Sequence, residues 1–139
     1  MNVDFSSLNW LAIGVCVVVG QVFLTLWFAA LFARPWAKAY GVEDPKQHTK
    51  EVPGYTYALG LVCTFALTLG LALMQAGLGV QGVAGGLSVG LVVAVSFCLA
   101  TALPGYAFLK RWPAFTLAVG SQMTLILILS VILAAWQKA

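Results

Sequence analysis

Charge is what this sequence has least of. Seven Lys and Arg, four Asp and Glu and one His are spread over 139 residues, so that 8% of the chain is charged, against about 25% in an ordinary soluble domain. The scarcity excludes several kinds of chemistry. No carboxylate pair, no Ser, His and acid set and no glycine-rich phosphate loop can be found, so the chain is expected not to be an enzyme and to hold no cofactor or metal. His48 lies in a charged stretch where it reads as a solvated residue. Cys16, Cys63 and Cys98 fall in three different apolar runs without Cys-x-x-Cys spacing; they read as small packing residues, not as a disulfide framework or a metal site. No nucleic-acid partner is expected.

What the sequence has in quantity is hydrocarbon. Apolar residues make up 62% and the mean hydropathy is +0.99. A membrane-spanning helix needs about 20 mostly apolar residues, and four runs supply them: 8–32, 55–75, 82–103 and 112–136. Every Asp, Glu, Lys and Arg falls outside these runs. A bilayer demands that placement, because a charge at a helix centre costs about 2.5–3.5 kcal/mol even on the most lenient scale. Four buried helices of a soluble protein would leave too little chain to cover them, and the runs lack the alternation of membrane strands. The segment "MNVDFSSLNW" carries an acid where a signal peptide has basic residues, and the run after it exceeds an h-region, so helix one is expected to be retained. Residues 1–139 thus read as one all-α membrane domain, an antiparallel bundle of four spanning helices with loops at 33–54 and 104–111. The same runs contain no acid, base or histidine, which argues against a proton relay.

Basic residues set the expected orientation. Arg34, Lys38, Lys46 and Lys50 lie between helices one and two, and Lys110 and Arg111 between helices three and four. The opposite face receives Lys138 alone. The positive-inside rule therefore predicts both basic loops in the cytoplasm and both termini outside; in a bacterial host the membrane would be the inner one. Trp10 and Trp136 would anchor the outer interface, and Trp36, Tyr40 and Trp112 the inner one. Between helices one and two, Pro35 can open a short interfacial helix that puts Trp36 and Tyr40 on one face and ends at Gly41. Asp44 before Pro45, with Gln47 three positions on, reads as the capped start of a second helical turn.

Two features inside the runs bear on packing and function. Helix three carries Gly82, Gly86, Gly90 and Ala94 at a spacing of four, a smooth edge on which another helix can seat closely. Packing is the expected use of that edge, within or between subunits; lining a pore is the alternative. Gln21 on helix one and Gln122 on helix four both fall near mid-bilayer at about 1.5 Å of rise per residue. Two amides at one depth could satisfy each other, with Thr25, Ser121, Thr124 and Ser130 as other candidates.

The segments "NWLAIGV", "LWFAALFARPWAK" and "YAFLKRWPAFTLAVG", with a last helix ending in Trp136, make the chain resemble a bacterial membrane family known as domain of unknown function 1761. The resemblance implies a four-helix inner-membrane protein and carries no activity or site residues with it. The functional expectation is a structural or accessory subunit that packs against its own copies or another membrane protein, with membrane lipid around it. A passive channel for a small neutral solute, lined by the glutamines and the glycine edge, is the first alternative. Binding of a lipid or another hydrophobic ligand is the second.

Overall fold

The computed structural model describes residues 4–137. Six helices follow one another: α1 (Trp10–Leu31), α2 (Ala33–Tyr40), α3 (Pro45–Glu51), α4 (Gly54–Leu78), α5 (Gly82–Leu109) and α6 (Trp112–Ala135), and no strand occurs among the described residues. Helices α1, α4, α5 and α6 contain 22, 25, 28 and 24 residues, and each is long and apolar enough to cross a membrane. At about 1.5 Å per residue the shortest spans some 33 Å, close to the hydrocarbon thickness of a bilayer. The protein is a multi-pass membrane protein.

Local chemistry explains several helix ends. The Asn9 side chain accepts from the backbone N–H of Ala12 at 3.1 Å and caps α1. Gly41, at φ 71, closes α2 in the left-handed conformation that glycine tolerates best. Asp44 caps α3 by accepting from the N–H groups of Lys46 and Gln47, and Pro45 follows it, as the sequence suggests. Gln47 does not reach back to complete a capping box; its amide donates to Glu51 instead, at 3.0 Å. Both short helices sit at one end of the bundle, called here the loop end. Trp36 meets Tyr40 and His48 there in tilted ring contacts, with centroids 6.0 and 5.7 Å away. The termini end lies opposite, where the Asn9 amide donates to the Trp136 carbonyl at 2.8 Å and ties the chain's two ends together.

Helix α6 is the central element. Half of its most apolar stretch is buried, against 22–28% in the other three spanning helices. Leu125, Leu129 and Leu133 of α6 meet Ile13 and Cys16 of α1, Leu71 of α4 and Ala94 of α5 in one core. Helix α5 approaches α6 most closely, because two glycines let the backbones meet. A Cβ on Gly86 would stand 2.7 Å from the Ser130 carbonyl and from Ala134, and one on Gly90 would stand 3.1 Å from Ser130 Cβ. With lipid outside as apolar as the interior, such close van der Waals contact is the main attraction between helices.

Helix α5 departs from the expected boundary. The sequence places its end at Leu103 and a loop over 104–111; the helix in fact runs through Pro104 to Leu109, leaving Lys110 and Arg111 as the turn. Pro104 should break a helix because it has no N–H to give the carbonyl four residues back. Upstream of the proline the helix is already irregular: residues Val93–Leu99 are wound as a wider π-helix, and the Thr101 hydroxyl donates to the carbonyls of Phe97 and Cys98. Polar side chains and local rewinding of this kind are how membrane helices accommodate proline. Helix α1 has a similar wide stretch, Leu26–Leu31, just before its end.

Candidate functional site

In a chain so poor in charge, the amides and hydroxyls within the spanning helices are the groups able to do specific work, and they fall into three sets. The first lies toward the termini end, between α4, α5 and α6. Gln75 is fully buried and donates to both the carbonyl and the hydroxyl of Ser130, at 2.8 and 2.9 Å. Ser130 in turn donates to the Gly86 carbonyl at 2.7 Å, and Gln137 donates to Gln75 Oε1 at 3.3 Å. Three spanning helices are knotted at one point, directly beneath the glycine contact. Sequence reasoning missed Gln75, taking it as the end of helix two; the helix continues to Leu78. A polar residue at the very end of an apolar run, followed by further apolar residues, is the signal that could have marked it.

The second set joins α1 to α4. Gln21 donates to Thr64 Oγ1 at 2.7 Å and to the Gly60 carbonyl at 3.3 Å. Next to it, a Cβ on Gly20 would be 2.7 Å from Thr64 Cγ2, so these helices too cross at a glycine. The Trp27 indole N–H donates to the Leu117 carbonyl at 3.1 Å and fixes the lower part of α1 against α6. The expected pairing of Gln21 with Gln122 does not occur. Gln21 finds the nearer hydroxyl of α4, while Ser121 and Thr124 turn back on their own helix, donating to Ala118 and Gly120. Thr25 is exposed on the outer face of α1.

The third position is Gln122 itself. It is exposed, although Val119, Leu125 and Ile126, its neighbours on the same face of α6, are buried. Among the described residues none hydrogen-bonds to it. Every buried polar side-chain atom among those residues has a partner, so Gln122 stands apart from the rest of the interior. The opening arises because the shell around α6 thins toward the loop end. Helix α4 has no buried residue between Gly54 and Cys63, its first being Thr64, and α5 is in its π-helical stretch.

The remaining sequence-singled residues divide by position. Gly86, Gly90 and Ala94 face α6 within the chain. Gly82 does not share that role: it has φ +76 and nothing within 4 Å of a Cβ, so it serves the turn before α5 and does not pack. Trp10 and Trp136 lie at the termini end, and Trp36, Tyr40 and Trp112 at the loop end. Cys16 is buried against the Leu129 carbonyl and the half-buried Cys98 packs against the same core, whereas Cys63 is exposed on α4, so only the last is not a core packing residue. Burial pushes the Tyr40 phenol up to about 12, aided by its hydrogen bond to Tyr106 and opposed by the positive Arg111 nearby.

Compared with known families, residues 11–134 match the model of a protein family described as protein of unknown function (DUF1761). The chain belongs to this family. The match takes in all three glutamine positions, both glycine crossings and the two short helices, so the DUF1761 unit is the whole bundle and not one hairpin of it. Among curated proteins and solved structures, nothing matches the chain.

Proposed function

We propose that this DUF1761 protein is a non-catalytic subunit of a bacterial inner membrane, with its termini outside and its loop end in the cytoplasm, which works by packing against a further membrane helix. Gln122 carries this reading. A primary amide facing hydrocarbon without a partner is costly, and a facing polar group on another helix restores its hydrogen bonds for about 0.6–2 kcal/mol. Gln122 is exposed beside buried Val119, Leu125 and Ile126 on the most central helix, so an incoming helix would meet the amide directly. The loop-end orientation rests on six basic residues in the two connecting segments against Lys138 at the other end.

A solute path is not favoured. Gly86 and Gly90 are closed by α6, and Gln21 spends its amide on α4, so neither is free to line a channel. The test is native mass spectrometry on the protein released gently from its own membrane at native abundance. A second membrane protein, or a second copy, is expected at fixed stoichiometry. Gln122→Leu should lower its occupancy by about tenfold, an amount near the upper range for one intramembrane hydrogen bond, and Gln122→Asn should restore part of it. A chain that arrives alone, or a complex indifferent to Gln122→Leu, would sink the reading.

A further inference from the structure

At the loop end, α2 lies beside the start of α6, and together they wall a cavity of about 690 Å³. Its chemistry is divided. Phe32, Pro35 and Leu117 make an apolar floor and side, while Lys38 comes from α2 and Lys110 and Arg111 from the α5–α6 turn. Thr116 also lines it, with its hydroxyl donated to the Trp112 carbonyl at 3.0 Å. No acid lines this cavity, and among the described residues none of the three cations is in an ion pair. The loop acids Glu43, Asp44 and Glu51 line a separate hollow around Gly41 and His48. The cavity's three cations are thus apart from the loop acids, which share their stretch of chain with Lys46 and Lys50.

Two further features add positive potential. Helix α6 starts beside the cavity at Trp112, with Pro113 and Ala114 of its first turn in the lining and no side-chain cap from Arg111, so the positive end of its dipole lies next to the cavity. Lys110 holds φ 53, a left-handed conformation that costs a lysine about 1–2 kcal/mol relative to the usual right-handed one. The turn thereby keeps two adjacent cations, Lys110 and Arg111, at the cavity mouth.

We infer that this cavity binds the phosphate of an anionic phospholipid, held among Lys38, Lys110 and Arg111, with an acyl chain lying along Phe32 and Leu117. Three uncompensated cations call for an anion. The apolar floor distinguishes a lipid phosphate from a free one, since a soluble phosphate would leave that floor wetted, and the cavity opens where the spanning helices end, at headgroup depth. The neighbouring Trp36 and Trp112 belong to the same interfacial layer. The inference is independent of Gln122 and of the helix-packing reading.

The test uses the full chain reconstituted in vesicles of equal parts phosphatidylglycerol and phosphatidylcholine, then extracted mildly and weighed by native mass spectrometry. One phosphatidylglycerol is expected to stay bound in preference to phosphatidylcholine, and to be lost at high salt. Near a membrane surface each cation is worth about fivefold in affinity, so Lys38→Gln/Lys110→Gln/Arg111→Gln should reduce retention by roughly a hundredfold and Lys110→Gln alone by about fivefold. Lys46→Gln/Lys50→Gln, which removes two loop cations outside the cavity, should retain the lipid. Equal retention of the two lipids by the wild-type chain would overturn the inference without recourse to any variant. So would unchanged retention in the triple variant with its helical circular dichroism intact. Displacement of the lipid by millimolar inorganic phosphate would reassign the cations to a soluble anion. Should the triple variant fail to fold, the lipid ratio of the wild-type chain and the Lys110→Gln variant still decide the matter.

Discussion

The two ends of the bundle solve the same problem differently. Toward the termini, α5 and α6 touch through Gly86 and Gly90, and Gln75, Ser130 and the Gly86 carbonyl close a polar knot with every member satisfied. Toward the loops, two helices widen into π turns, α4 has no buried residue before Thr64, and Gln122 is left exposed without a partner. One half spends its small and polar residues on itself; the other holds them in reserve. Composition does not separate the halves, since both are apolar and both contain glycine and glutamine. What separates them is whether each small or polar residue has another helix opposite it.

Adding atoms at the glycine crossing should break that contrast most severely. Gly86→Val places a branched side chain where even a Cβ meets the Ser130 carbonyl at 2.7 Å, a backbone atom that cannot swing aside. A loss of about 3 kcal/mol or more in unfolding free energy is expected, at the upper end of overpacking costs, measured by denaturation in mixed micelles. Gly60→Ala on α4 is the matched control, since nothing lies within 4 Å of its Cβ. It should be neutral or stabilising by up to about 1 kcal/mol, because alanine loses less backbone entropy in a helix. If both substitutions cost the same, the difference drawn between the two ends would fail.

The polar residues sharpen the comparison at smaller amplitude. Gln75→Leu removes the donor that bridges α4 to Ser130 and strands Gln137, for about 1–2 kcal/mol; Gln21→Leu leaves Thr64 bonded to its own helix through Gly60 at 3.0 Å and should cost about half as much. Gln122→Leu, by contrast, should leave the isolated chain as stable as before or slightly more so, because no bond within the chain is lost and an exposed amide leaves the hydrocarbon. The three variants together, melted in the same detergent, rank the interior. Destabilisation by Gln122→Leu comparable to Gln75→Leu would mean that Gln122 has an internal role.

How legible all this was in the sequence follows from the range of each interaction. The four spans, the interfacial helix closing at Gly41 and the Asp44 cap depend on local composition or on neighbours within four residues, and local patterns display them. The α5 end was misread because proline's local rule is strong, whereas the helix continues through Pro104 after a π-wound stretch that no pattern announces. Gln21 and Gln122 were matched by depth, and depth is one coordinate of three. Which way each side chain points round its helix is decided by the packing of Gly20 on Thr64 and Gly86 on Ser130, contacts between residues 44 positions apart. Gln75 escaped notice for the same reason, since its importance lies in Ser130, 55 residues away.

The smallest expected effect belongs to the loop end, at Tyr40. Its phenol is pushed up to about 12, first by partial burial at the end of the interfacial helix and then by the hydrogen bond to Tyr106, with Arg111 pulling the other way. An unfolded chain would release that proton near 10. The folded form therefore holds the proton more tightly, so the contribution of Tyr40 is whole below pH 10 and is lost as pH rises through about 12. The residue is 40% exposed, and solvent screening keeps the stability change small. Ultraviolet titration of phenolate should show one tyrosine ionising near pH 12 that disappears in Tyr40→Phe. An anion seated beside Arg111 would cancel the one influence that lowers the phenol's pKa, so adding phosphatidylglycerol vesicles should move that titration higher still while phosphatidylcholine leaves it in place. A Tyr40 that ionises at the ordinary tyrosine value in both lipids would mean that α2 does not pack against the α5–α6 turn, and the loop end would then be looser than its cavity requires.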